Sequence, residues 1–188
     1  LKLEAEKKYL EAKKIGDKEE MRKYASRTSR LSKDMVEEAK ELISLLGLPI
    51  VQAPSEGEAQ AAYMVKENKG FAVGSQDFDS IIHGATNLVR NLSISGRRKK
   101  GKSIAYETIS PELINLPKNL NNLGIDQNQL ITLAMIVGTD YNPLGIKGIG
   151  PKNALKLVKQ HKSDFNALFK EIKWDDYFDF SWEEVYYL

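Results

Sequence analysis

Two pairs of carboxylates, Glu56/Glu58 and Asp77/Asp79, lie in the stretch Ala53 to Ser80, and a single residue separates the members of each pair. Ionised carboxylates only accept hydrogen bonds, and several crowded at one place repel one another unless cations neutralise them. The pattern points to a hard divalent cation such as Mg2+, which takes oxygen ligands and keeps several of its waters. Asp77 and Asp79 follow a short apolar segment. In extended backbone, residues i and i+2 project to the same side, so this spacing aims both carboxylates one way. The alternative is an Asp-rich turn that caps the next segment. Glu56 and Glu58 would diverge in mid-helix, but at a first turn, with Gly57 between them, both side chains can curl around the open helix end. Glu58 has a second reading as the reciprocal partner of Ser55 in a capping box. Asp140, which follows a buried helix and enters a tight loop, is a fifth candidate ligand and is otherwise a turn residue.

These side chains need strands and helices to carry them. Leu48 to Ala53 (LPIVQA) predicts a strand closed by Pro54, and a helix then runs from the Ser55 cap to Gly70. Phe71-Ala72-Val73 is short and apolar, as a buried strand would be. Asn87 to Leu92 predicts another strand. Ser93 to Lys102 reads as a basic loop, with Ser103 to Glu107 as its hairpin partner. Ser110-Pro111 predicts a helix start ahead of Leu113, Ile114 and Leu116. Asp126 caps a further helix whose Leu130, Leu133, Ala134 and Val137 form a buried stripe. Strands alternating with helices at this spacing indicate an α/β fold, a mostly parallel sheet flanked by helices.

Ahead of this region, the first 20 residues are rich in Glu, Lys and Ala and read as a solvated helix broken at Gly16-Asp17. From Met21 to Leu46 apolar residues recur at helical spacing, and Gly47 stops the run. The polar face carries Arg22, Lys23, Arg27, Arg30 and Lys33, a solvated face or a nucleic-acid contact.

The stretch Asn142 to Pro151 (NPLGIKGIGP) is a compact loop opening a basic helix at Pro151-Lys152. Its glycines let backbone approach a phosphate, and the helix start favours an anion. No strand precedes it and the Walker lysine spacing is absent, so it is not a nucleotide-binding fingerprint. Its shape suits a hairpin that grips nucleic-acid backbone without reading bases.

The chain has 188 residues, 29% of them charged, and a formal net charge of +2. Two acid-free windows hide within that near-balance: residues 80–106 carry Arg90, Arg97, Arg98, Lys99, Lys100 and Lys102, and residues 141–163 carry Lys147, Lys152, Lys156, Lys159 and Lys162. Basic segments flanking a carboxylate cluster suit a polyanion held while metal ions work on it. With no cysteine and only His83 and His161, thiolate and histidine-rich zinc sites are excluded. No apolar run approaches the roughly 20 residues of a membrane-spanning helix.

Together, APSEGEAQAA (Ala53–Ala62), SQDFDS (Ser75–Ser80), VRNL (Val89–Leu92) and VGTDYNPLGIKGIGPKNAL (Val137–Leu155) resemble the flap structure-specific endonucleases of the XPG family, particularly the archaeal form. The resemblance runs from Leu3 to Lys162. It implies a 5′ nuclease core of PIN-like fold that cleaves branched DNA bearing a 5′ flap in replication and repair. Catalysis would use two Mg2+ ions, with Mn2+ able to substitute, at Glu56, Glu58, Asp77, Asp79 and Asp140. Arg27, Arg30, Arg90, Lys147, Gly148, Gly150 and Lys152 fall at positions that bind DNA. The Gly145–Lys152 loop matches the family's helix–two-turn–helix element, which in some members also holds K+ through main-chain carbonyls.

The implied organisation is arch helices over residues 1–35, a nuclease core over 36–140, the helix–two-turn–helix region over 141–170 and an aromatic, acidic segment over 171–188. The last segment reads as a helix packing onto the core, or else as a partner-binding peptide. Family members carry a region ahead of Leu1 that supplies a strand, two further metal-binding aspartates and basic arch residues, so the chain reads as part of a longer protein. They also continue into a clamp-binding peptide, which implies a sliding clamp as partner. The expected setting is cytoplasmic and nucleoid-associated, or nuclear in a eukaryote, with no membrane. The rival reading is a catalytically incomplete piece acting only as a structure-selective DNA-binding module; a phosphatase or ribonuclease using the same carboxylates would leave the GIKGIGPK hairpin without a task. Duplex binding measured by fluorescence anisotropy should weaken roughly a thousandfold between 50 and 200 mM salt if about six of the window cations release counterions. A flat response would remove both windows as binding surfaces.

Overall fold

The computed structural model describes residues 2–28, 31–93, 96–99 and 106–188. The chain forms two compact units, Leu1–Gln52 and Ala53–Leu188.

The first unit is helical. Helices α1 (Lys2–Ile15) and α2 (Lys18–Thr28) are joined at Gly16, whose φ of 77° is the left-handed turn that ends α1. Asp17 then caps α2 by accepting from the Glu19 and Glu20 amides, each at 3.0 Å. Ala5, Ala12 and Tyr24 are buried where the two helices pack. Small alanines let the helices approach, and Lys8 and Lys23 flank the Tyr24 ring. Helix α3 (Lys33–Leu45) begins at a Ser32 cap that accepts from the Met35 amide, and Gly47 follows it with φ 74°. The apolar periodicity from Met21 to Leu46 therefore spans two helices rather than one. No residue of α3 is buried. Arg27 lies in α2, and Arg30 lies outside the described residues.

In the second unit, helix α4 (Gly57–Lys66) leads into strand β1 (Val73–Gly74), the short helix α5 (Asp79–Ile82) and strand β2 (Asn87–Arg90). Strand β1 pairs parallel with β2, Val73 opposite Leu88. A basic hairpin follows, β3 (Arg97–Lys99) against β4 (Tyr106–Thr108). Strand β5 (Glu112–Asn115) then returns antiparallel to β2, Leu88 opposite Ile114. Helices α6 (Leu116–Leu123), α7 (Gln127–Val137), α8 (Pro151–His161) and α9 (Phe165–Glu171) complete the unit with α10 (Trp182–Tyr186).

The α/β class holds, with a small sheet that is mixed rather than mostly parallel. A parallel pairing needs a crossover of about a dozen residues. The α5 segment provides one between β1 and β2, whereas the hairpin excursion returns β5 head to tail. Three local expectations are corrected. Residues 48–53 form no strand, and Leu48, Ile50 and Val51 stay exposed. The helix expected at Ser110-Pro111 is instead β5, and the helix start moves to Asn115, which accepts from the Lys118 amide ahead of Pro117. Register against β2 outweighs the local cap signal there. The segment read as a basic loop contains β3, with residues 100–105 outside the described set.

Two apolar clusters hold the unit together. Ala62, Val65, Val73, Ile81, Ala85, Leu88 and Leu116 join α4 to the sheet, while Met135, Ile136, Ile146, Ala154, Val158, Leu168, Phe169 and Trp174 join α7 to α8 and α9. Leu120 and Leu130 pack against both. The Asp126 capping box fixes the start of α7. Its buried residues are Gln129, Thr132, Met135 and Ile136, while Leu130, Leu133 and Val137 of the expected stripe pack half-buried against the core; Gln129 turns inward to donate to the Val158 carbonyl at 2.6 Å. The aromatic tail packs on this core: Trp174 is fully buried, and Trp182 stacks on Phe169 with centroids 4.7 Å apart.

Between α7 and α8 the backbone folds back on itself. The Ile146 amide donates to the Ile136 carbonyl at 2.8 Å. Gly145, at φ 54°, lies so close to the last turn of α7 that a Cβ would collide with the Ile136 and Val137 backbone. Gly145→Ala should therefore destabilise this unit by about 2–4 kcal/mol, combining the left-handed cost with overpacking. Thermal unfolding would show it; an unchanged midpoint would mean the loop is not closed this way.

Candidate active site

The loop closed by Gly145 carries Asp140 and Tyr141. Within it, fully buried Asn142 donates to the Met135 carbonyl and accepts from the Thr139 hydroxyl, both at 2.6 Å. Gly138, at φ 118°, sits where a Cβ would be 2.7 Å from the Gly145 amide nitrogen. These contacts brace the loop at the point where Asp140 emerges.

Glu56 occupies the N-cap position of α4, yet its side chain makes no cap hydrogen bond. Its carboxylate instead accepts from the Tyr141 hydroxyl at 2.6 Å, and His83 Nε2 lies 3.6 Å from its other oxygen. Glu58 accepts from the Ser75 hydroxyl and from the Ser80 amide, the latter at 3.1 Å. The capping box expected between Ser55 and Glu58 does not form; Glu58 spends its oxygens on the Ser75–Ser80 loop. That resolves the two readings of Glu58 against the cap.

The aspartates sit on this same loop, but not in extended backbone. Phe78 is helical and Asp79 opens α5, so the strand alternation expected to align Asp77 with Asp79 is absent. The loop is held from β2: Arg90 donates to the Gln76 carbonyl at 3.1 Å, and its guanidinium lies 4.5 Å from the Phe78 ring centroid. The Asp77 amide donates to the Ser75 hydroxyl.

All five carboxylates meet electrostatically at Asp79. Burial, followed by the charges of Glu58, Asp140, Asp77 and Glu56, pushes its carboxyl above the ordinary value. Glu56, Asp79 and Asp140 line one cavity of about 90 Å³ with His83 and Tyr141, opposite an apolar wall that includes Ile131 and Met135. Glu58 and Asp77 lie outside that cavity. Among the described residues no three Asp, Glu or His side chains form a ready-made coordination shell. The donor set nevertheless suits a hard cation: it is all oxygen, it is repulsive, and two of its members have free oxygen lone pairs oriented by neutral partners.

Of the side chains expected to meet DNA, Arg90 is committed to the acidic loop, while Lys147 and Lys152 are exposed. Gly148 takes φ 90°, and Gly150 is the N-cap of α8. Tyr141, His83, Ser75 and Ser80 were not legible as site residues. Tyr141 follows Asp140 and the serines bracket the aspartates, but nothing in the sequence marks His83.

The XPG I-region model matches residues 47–140, which contain all five carboxylates. The chain belongs to the XPG I-region family. Flap endonuclease 1 of Thermococcus onnurineus is 52% identical over 174 residues, 93% of this chain and 51% of that protein. The solved flap endonuclease-1 of Methanococcus jannaschii superposes with a TM-score of 0.63 at 45% identity, covering 84% of this chain and 48% of that one. The catalytic core of Rad2 in complex with DNA substrate gives 0.61 at 27% identity, covering 84% and 46%. The chain spans about half the length of the curated relatives it matches. In family terms, the I-region ends at Asp140, so the Gly145 loop and α8 lie just beyond it.

The raised pKa of Asp79 has a thermodynamic sign. Its neutral form is favoured by the fold, so its contribution to stability is present below the ordinary value of 3.8 and is lost as pH rises through the raised folded value. In metal-free buffer, Asp79→Asn should gain stability relative to the parent as pH rises from about 3.8 towards neutral. Unfolding midpoints across that range would check it; a gain appearing only on acidification would reverse the assignment.

Proposed function

We infer that this chain carries the catalytic carboxylates and the duplex-gripping loop of a structure-specific 5′ flap endonuclease acting on branched DNA. The observation that carries the reading is the meeting of Glu56, Asp79 and Asp140 in one cavity, with Glu58 bonded to the loop that bears Asp77 and Asp79. So much unrelieved negative charge at one point is costly without cations and ill suited to bind a phosphodiester directly. Nucleases of this family use divalent metal ions. Two Mg2+ or Mn2+ ions held by these five residues would supply a nucleophilic water and neutralise the scissile phosphate.

The remaining tasks belong to the protein. Tyr141 orients Glu56, with His83 close by, and Ser75 and the Ser80 amide orient Glu58. Arg90 anchors the loop bearing Asp77 and Asp79. Exposed Lys147 and Lys152, with the open amides at the start of α8, grip the duplex backbone, and the resemblance adds a K+ ion at the Gly145–Lys152 loop. Helices α1 and α2, including Arg27, take the arch position that receives the flap strand, and a sliding clamp is the partner of the whole protein.

A second reading, a DNA-binding module without catalysis, draws on the absence of a ready-made coordination shell among the described residues. Incubation with a 5′-flap duplex and Mg2+ separates the two. Cleavage that falls at least a thousandfold in Asp79→Ala, with duplex binding retained, supports the nuclease. Flap binding without cleavage in the parent chain supports the module.

A further inference from the structure

We propose that Tyr141 is a positioning residue for the cation site: its hydroxyl holds the Glu56 carboxylate in place and so ties that ligand to the loop between α7 and α8. The proposal rests on the reading of the carboxylate cluster as a divalent-cation site.

Glu56 and Tyr141 are 85 residues apart in sequence, and their 2.6 Å hydrogen bond joins the start of α4 to the loop that carries Asp140. Glu56 makes no cap bond at its own helix. Its second oxygen faces His83 at 3.6 Å, too far for a hydrogen bond. The phenol therefore sets the carboxylate's rotamer. It does so without closing the carboxylate to a metal, because each oxygen has a second lone pair. A neutral donor also suits this place. A lysine or arginine here would neutralise the cluster and weaken its pull on a cation, whereas a hydroxyl orients Glu56 and leaves its charge intact.

Tyr141 is itself fixed from behind. Its amide donates to the Thr139 hydroxyl, which in turn donates to buried Asn142. The Asn142 amide is bonded to the Met135 carbonyl in the last turns of α7. A chain of hydrogen bonds thus runs from the core of the unit to the Glu56 carboxylate. The same loop continues into Lys147, Gly148 and α8, the elements assigned to the duplex. The residue that places a metal ligand is therefore built into the segment that holds DNA.

Tyr141→Phe tests this on the intact chain, because it removes one oxygen and keeps the partly exposed ring. Mn2+ affinity, read from the EPR signal of free Mn2+, should weaken about tenfold, the lower end for loss of an outer partner to a metal ligand. Duplex affinity in EDTA and the unfolding midpoint should stay at parent values. Asp79→Asn should weaken Mn2+ binding further. If Tyr141→Phe binds Mn2+ as tightly as the parent while Asp79→Asn does not, Tyr141 has no positioning role. A joint loss of stability, duplex binding and Mn2+ binding in Tyr141→Phe also overturns the proposal, since the hydroxyl would then be merely structural. If Asp79→Asn binds Mn2+ as the parent does, the cation-site reading itself fails.

Discussion

The site depends on a backbone contact rather than on any charged residue. The last turn of α7 accepts the Ile146 amide and leaves no room for a side chain at Gly145, so the chain doubles back directly onto that helix end. Asn142, fully buried, satisfies the carbonyl and hydroxyl groups that the turn strands. An unpaired polar group in that position would cost about 1–3 kcal/mol, so the turn and the asparagine require each other. From this closure follow the position of Asp140, the reach of Tyr141 to Glu56, and the direction in which α8 leaves. One tight turn thus serves both the acidic cluster and the basic helix.

Against this rigid frame stands a cluster the metal-free fold does not favour. The other four carboxylates act on Asp79, whose raised pKa records both its burial and their repulsion. The fold offsets the crowding with neutral donors: Ser75 and the Ser80 amide on Glu58, and Tyr141 on Glu56. Arg90 is close, but its guanidinium is engaged with the Gln76 carbonyl and the Phe78 ring. Neutral donors orient acids without discharging them, so the negative charge of the cluster is kept. The C-terminal segment also contributes, since Val185 and Tyr186 help to line the same cavity.

Much of the local structure was legible because it follows from nearest neighbours. The Gly16-Asp17 break, the Asp126 cap, the Gly47 stop and the Pro151 helix start all appear where residue chemistry places them. The misplaced elements share one cause. Residues 48–53 have strand composition but take no strand conformation, and Ser110-Pro111 has helix-start chemistry but leads into a strand that pairs with β2. Strand formation depends on distant partners, which no local signal contains. The alignment of Asp77 with Asp79 failed likewise, because α5 begins at Asp79, before an extended run could carry both side chains.

The sequence by itself determined the candidates: five carboxylates, no cysteine, two acid-free basic windows, and a glycine loop opening a helix. Those are statements of residue type and spacing, and the XPG I-region match covers all five acids. Only the tertiary structure decided how the acids are held. It took Glu58 from its helix cap and gave it to Ser75 and Ser80, and it placed Tyr141 and His83 beside Glu56. A hydrogen bond across 85 residues is set by where the core puts each backbone, and pairwise geometry of that kind is not written in any local stretch of chain.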